Sequence, residues 1–151
     1  MTNALWFLNS RARIRIASAD APDGISVIEH WLPHGAGPPL HIHRNEDEVF
    51  HLLSGRMLLR VGDQDIVAGP GDILVAPKGV PHTYRVLSPE GAHNLTILRG
   101  ADFESLIREL GRPAAAEGLP PQMEPTPDMV AALTEACRRH GIDMVGPPLF
   151  E

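Results

Sequence analysis

Short runs in which apolar and polar residues alternate with a period of two fill the first two-thirds of this chain, and clusters of turn-forming residues separate them. Arg13 to Ile16, Ser26 to Leu32, Val49 to Leu53, Met57 to Val61, Ile73 to Ala76, His82 to Val86 and Leu95 to Leu98 each read as a strand. Successive side chains of a strand point to opposite faces, so each run offers one face to a core. Gly62-Asp63-Gln64-Asp65 makes a tight polar hairpin turn between two of these runs. Many short strands at this spacing predict an all-β barrel.

The period changes after residue 100. Phe103, Leu106, Ile107 and Leu110 form one stripe of a helix from Asp102 to Leu110, with Gly111 as its stop. Five prolines within the fifteen positions 113–127 predict a semi-extended linker. Thr126-Pro127-Asp128 then opens a second helix: an N-cap, a proline in the first turn, and an acid at the positive end of the dipole. It runs to about His140, where Gly141 closes it and Arg138 and Arg139 face the negative end. The expected organisation is a β-barrel over 1–100, a helix packed on it over 101–112, a linker over 113–127, and a C-terminal helix and tail over 128–151. There is no internal repeat.

Composition narrows the class. The 151 residues suit one domain with a sizeable core. Hydrophobic residues make up 43% and charged residues 21%, the balance of an ordinary soluble protein. A net charge of −6 argues against nucleic acid or an anionic membrane as the main partner. The single cysteine, Cys137, has no internal disulfide partner, which favours a reducing compartment. It shares a helix with Val130 and Leu133 and reads as a small core residue, not a nucleophile. The apolar run Ala4 to Leu8 is too short for a signal-peptide core, and no run approaches a membrane span. Cytoplasm is the expected location.

The candidate chemistry lies between Gly35 and Gly55, which read G-x5-H-x-H-x4-E-x6-G. His41 and His43, two residues apart on a strand, share one face, and Glu48 opens the next strand after a four-residue polar turn. A second segment, Gly71-x5-Pro77-x-Gly79-x2-His82, adds a third imidazole. Three nitrogens and a carboxylate suit one divalent transition ion, with Fe, Ni, Mn, Zn and Cu all compatible. Ligands from separate strands meet only if the sheet curls, which again implies a barrel.

Both segments, in this order and with fifteen residues between them, strongly resemble the two motifs of the cupin superfamily. Where the second motif commonly ends in Asn, this chain has Val86, so a pocket hydrogen bond is in doubt and the ligand set is not. The layout is also similar to small single-domain cupins of the bacterial quercetin dioxygenase-like kind, through Gly35 to His43, Phe103 to Gly111 and His140 to Leu149. The resemblance implies a double-stranded β-helix or jelly-roll barrel, His41, His43, Glu48 and His82 as metal ligands, and a homodimer.

Alternation extends the site. From Glu48 it turns Phe50 inward, and from His82 it turns Tyr84 and Val86 inward, with Met57 and Leu59 lining the neighbouring strand. These five residues predict a largely apolar substrate pocket with the metal at one end. Tyr84 is either a hydroxyl in reach of a metal-bound ligand or a barrel filler. His51 points away from the pocket, His34 and His140 fall outside it, and the facing of His30 and His93 stays open. Glu46 and Asp47 are expected to form a solvated acidic edge on the turn. Three functions remain. One is a metal-dependent dioxygenase-like enzyme acting on a small organic, aromatic or flavonoid-like substrate, with Glu48 as catalytic base. The second is a metal-dependent isomerase, lyase or hydrolase. The third is a small-molecule binder without turnover.

Overall fold

The structure is a computed structural model, and it describes residues 3–149. Twelve strands and two helices follow one another in the order β1 (Ala4–Phe7), β2 (Ser10–Ile16), β3 (Ile25–Leu32), β4 (Pro39–His43), β5 (Glu48–Ser54), β6 (Met57–Val61), β7 (Gln64–Ala68), β8 (Ile73–Ala76), β9 (His82–Val86), β10 (Ala92–Arg99), α1 (Asp102–Leu110), β11 (Arg112–Pro113), α2 (Pro127–Arg139) and β12 (Ile142–Pro148). They build two antiparallel sheets. The larger has seven strands in the order β11-β1-β2-β3-β10-β5-β8, and the smaller has five in the order β12-β4-β9-β6-β7. Neighbours that are distant in sequence, such as β3 with β10 and β4 with β9, are the crossovers of a jelly roll.

On β3, β5 and β10 the alternation read from the sequence is the burial pattern. On β5, Glu48, Phe50 and Leu52 are buried while Val49 and His51 are only half-buried. On β3, Ser26, Ile28, His30 and Leu32 all face inward. Their core divides into two clusters. Leu32, Phe50, Leu52, Met57, Leu59 and Val86 fill one end of the barrel. Phe7, Ile28 and Leu98 fill the other, together with Leu106 and Ile107 of α1 and Cys137 of α2, so both helices cover this end. Gly55 ends β5 in the left-handed region at φ +88°, and a Cβ there would stand 2.4 Å from the Gly91 carbonyl oxygen; only glycine fits this turn.

Thr126 caps α2 as its sequence predicts, accepting from the Met129 N–H at 3.2 Å. Two segments carry more structure than the periodicity showed. Residues 113–127 form no helix beyond Pro127 and almost no strand, yet they are tied to the barrel. The Trp6 indole donates to the Gly118 carbonyl at 3.1 Å, and Asn9 exchanges bonds with both backbone groups of Met123 at 2.7 and 3.0 Å. Residues 142–148, expected as a tail, are the strand β12, paired with β4. Gly146, Pro147 and Pro148 hide the strand pattern, and proline is tolerated there because β12 is an edge. Among the described residues no helix is long and apolar enough to cross a membrane.

Cys137 is 2% exposed, and burial pushes its thiol up to about 11. The folded protein at pH 8 is therefore expected to leave a thiol-reactive dye unmodified over minutes, and denaturant is expected to release one reactive thiol per chain. Rapid labelling of the native protein would contradict the buried placement.

Candidate metal centre

Four side chains from both sheets converge at one end of the barrel. His41 and His43 lie on β4 and His82 on β9, where His41 and His82 are direct cross-strand partners. Glu48 comes from the first position of β5, in the opposite sheet. The strand pairing of β12 with β4, Met144 opposite His41 and Ile142 opposite His43, makes β4 an interior strand and fixes both ligand positions from behind. All four side chains are buried, and one donor atom from each lies within 4.8 Å of the other three.

The hydrogen bonds orient the donors. A carbonyl oxygen only accepts, so the His41 Nδ1–H donates to the Pro39 carbonyl at 2.8 Å, and its Nε2 carries the lone pair. His43 Nε2 and His82 Nε2 stand 3.1 and 2.9 Å from the same oxygen, Oε2 of Glu48. Burial alone would push the Glu48 carboxyl up; the charges and hydrogen bonds of His43 and His82 outweigh it and hold Glu48 well below the usual carboxylate range. Burial pulls His41 down to about 4, so its imidazole is neutral at pH 7. For His43 burial pulls down too, but Glu48 overcomes it and the net direction is up. An ionised carboxylate, an imidazole held neutral and a backbone carbonyl fixing the far nitrogen of His41 are the donor chemistry that a divalent transition ion takes. The residues fit the metal.

Glu46 departs from expectation. It is not a solvated edge: it is 1% exposed and lies under the start of α1. Its Oε1 accepts from the Phe103 N–H at 2.9 Å, one of the free donors of the first helical turn, and beside it Asn45 donates to Asp102 at 2.8 Å. Gly100 completes the fit, since a Cβ there would stand 2.7 Å from Glu46 Oε2. A helix end needs an acceptor, and this turn supplies one. Asp47 does stay exposed, accepting from the Lys78 N–H at 2.9 Å. The Phe103 ring that Glu46 anchors lies 6.1 Å from the His43 ring and 6.0 Å from His30.

Of the proposed pocket residues, Phe50 and Tyr84 stand nearest the ligands. Phe50 meets His82 and Tyr84 edge to face at 6.1 and 6.0 Å. Leu59 is opposite Tyr84 across β6 and β9, and Met57 is opposite Val86 one step further from the ligands, where both are packed in the core. Burial raises the Tyr84 phenol, which stays protonated and able to donate.

The interior is more polar than its apolar alternation implied. His30 is 4% exposed and pulled down to about 4 by burial, and its cross-strand partner Asn94, 1% exposed, donates to Thr96 at 3.1 Å. Strict alternation through Ile28 and Leu32 was the signal that places His30 inward. His51, His34 and His140 stay outside: His51 is half-buried on the other face of β5, His34 meets the Ser88 carbonyl at 3.1 Å, and His140 meets Glu109 at 3.0 Å.

Known proteins share these features. Residues 27–98 match the family model described as Cupin domain. Quercetin 2,3-dioxygenase of Bacillus subtilis (strain 168) is 28% identical over 105 residues, 70% of this chain, and the chain spans 28% of that enzyme's length. Among solved structures, KdgF from Halomonas sp. superposes with a TM-score of 0.53 at 20% identity, covering 60% of this chain and 79% of that one. A predicted oxalate decarboxylase from Thermotoga maritima gives a TM-score of 0.56 at 18% identity, with 60% and 79% coverage. Such identities speak for the fold alone. Residues 27–98, which fold both motifs onto one buried ligand cluster inside a two-sheet barrel, are the part of this chain that matches the Cupin domain family.

Proposed function

We propose that this protein is a cytoplasmic metal-dependent dioxygenase-like enzyme acting on a small organic, aromatic or flavonoid-like molecule. The observation that carries the reading is the buried cluster of His41, His43, Glu48 and His82 opening onto ring-bearing side chains. The similarity to a quercetin 2,3-dioxygenase supports the reaction class. A divalent transition ion held by these four residues supplies a Lewis acid and, where redox-active, a path for electrons between substrate and dioxygen.

The rest of the chemistry belongs to the chain. Glu48 balances charge as a ligand and, swung away from His43 and His82, serves as the general base for the proton of a substrate hydroxyl. Phe50, Tyr84, Leu59, Met57 and Val86 form the apolar wall against which a ring packs, and the protonated Tyr84 hydroxyl donates to a substrate oxygen. Phe103, held by Glu46, closes the ligand end against water.

Untagged protein is expected to carry close to one transition-metal ion per chain by elemental mass spectrometry, and His82→Ala to lose it, with affinity down by about tenfold or more. Absence of metal in the native protein, even after loading with each of Fe, Ni, Mn, Zn and Cu, would leave a binder without turnover. With metal loaded, polyhydroxylated aromatic compounds are expected to drive oxygen uptake. Glu48→Gln at matched metal content should slow it by on the order of 10²–10⁴. Turnover that continues unchanged without dioxygen would assign the protein to isomerases, lyases or hydrolases instead.

The same reading includes a homodimer. β8 is an edge strand whose Ile73 and Val75 are 63% and 52% exposed, an apolar edge that a second copy can cover. Light scattering should give twice the chain mass, and Val75→Glu should shift it toward monomer; a wild-type monomer at micromolar concentration would end this part of the proposal.

A further inference from the structure

The outer face of the larger sheet carries a cation with almost nothing to neutralise it. Arg11 on β2, Trp31 on β3 and His93 on β10 are direct cross-strand partners, so their side chains form a row across three strands. The Trp31 indole is stacked on the His93 ring at 4.8 Å and 11°, and the Arg11 guanidinium lies over it at 5.0 Å. Arg13 approaches the same indole at 5.9 Å. Glu29, the acid on this face, is already taken by Arg15 at 2.9 Å and His93 at 2.8 Å.

Among the described residues Arg11 therefore has one carboxylate partner, Glu117, at 3.5 Å. The two are badly matched: the Arg11 side chain is 10% exposed and that of Glu117 83%. An ion pair to a side chain so exposed is worth little, whereas a guanidinium so buried needs its donors satisfied. The Arg11 Nε, itself buried, has no partner among the described residues. Arg11 also borders a cavity of about 210 Å³ between the sheet and the proline-rich segment, walled by Trp31, Leu32, Ser54, Ala92 and Leu119.

We infer that this cavity is a second small-molecule site, independent of the metal centre, and that it takes a small organic carboxylate whose charge meets Arg11. A carboxylate matches the planar fork of a guanidinium, and its apolar body fits the Trp31 ring and Leu119. Glu90 also borders the cavity, and with Glu117 beside Arg11 it favours a monoanion over a doubly charged phosphate. The volume lies below the roughly 300 Å³ where drug-sized sites begin, so the occupant is small.

Calorimetric titration of the full-length, metal-loaded protein with sodium benzoate, sodium acetate and inorganic phosphate tests this. Benzoate is expected to bind saturably and to change indole fluorescence through Trp31. Arg11→Gln should weaken it by at least about tenfold, the scale of a lost charged hydrogen bond. Glu117→Gln, which frees Arg11 of its competitor, should tighten it several-fold, and His82→Ala should leave it unchanged. The inference is overturned by no saturable benzoate binding, by binding of phosphate alone, by an unchanged affinity in Arg11→Gln, or by loss in His82→Ala. Should Arg11→Gln fail to fold, Glu117→Gln decides: an unchanged or weaker affinity there overturns it too.

Discussion

The architecture of this protein is organised around one buried carboxylate oxygen. Glu48 Oε2 receives two imidazole nitrogens, at 2.9 and 3.1 Å, and they come from the sheet opposite its own. A buried ion costs several kcal/mol unless its partners are well placed, and stripping one partner from such a group costs about 3–5 kcal/mol. The cluster is therefore bearable only while the two sheets keep their relative position. The same arrangement serves a metal, because imidazoles gathered on a carboxylate are also a ligand set.

Several elements outside the two sequence motifs hold that position. β12 pairs with β4 behind His41 and His43, so the C-terminal strand belongs to the metal centre mechanically although it contributes no ligand. Glu46 joins the ligand-bearing turn to α1 through the Phe103 N–H, and α1 is held in turn by Leu106 and Ile107 in the core. The aromatic contacts from Phe7 to His30 to Phe103 to His43 then run from the N-terminal strand to the ligands, with centroids 6.0–6.3 Å apart. Ligand geometry is thus set by packing at the helical end of the barrel, while Leu52, Met57 and Val86 fill the other end.

The two faces of the larger sheet divide the chemistry. Its inner face presents Glu48, Phe50, Thr96, Asn94 and His30 to the barrel. Its outer face carries the row of Arg11, Trp31 and His93, roofed at one side by the segment that Trp6 and Asn9 tie down. A period of two lets one strand serve both sites without conflict, since His30 and Trp31 are adjacent in sequence and opposed in space.

How much of this was legible in the sequence depended on the range of the interaction. His41, His43, Glu48 and His82 were readable because strand periodicity and turn chemistry are local, and the spacing of the ligands is itself a local pattern. The strands Ile73–Ala76 and His82–Val86 and the helix Asp102–Leu110 followed from the same short-range rules. Glu46 was misjudged because its partner, the Phe103 N–H, is 57 residues away, and nothing near a polar turn announces a helix end arriving above it. β12 was missed because Gly146, Pro147 and Pro148 break the strand pattern, and only the waiting edge of β4 makes it a strand. The sequence by itself determined the all-β fold class and the four residues of the buried His/Glu cluster, whose strands and turns rest on periodicity and spacing. The tertiary structure alone decided which polar residues are buried, since burial depends on what other segments bring to them.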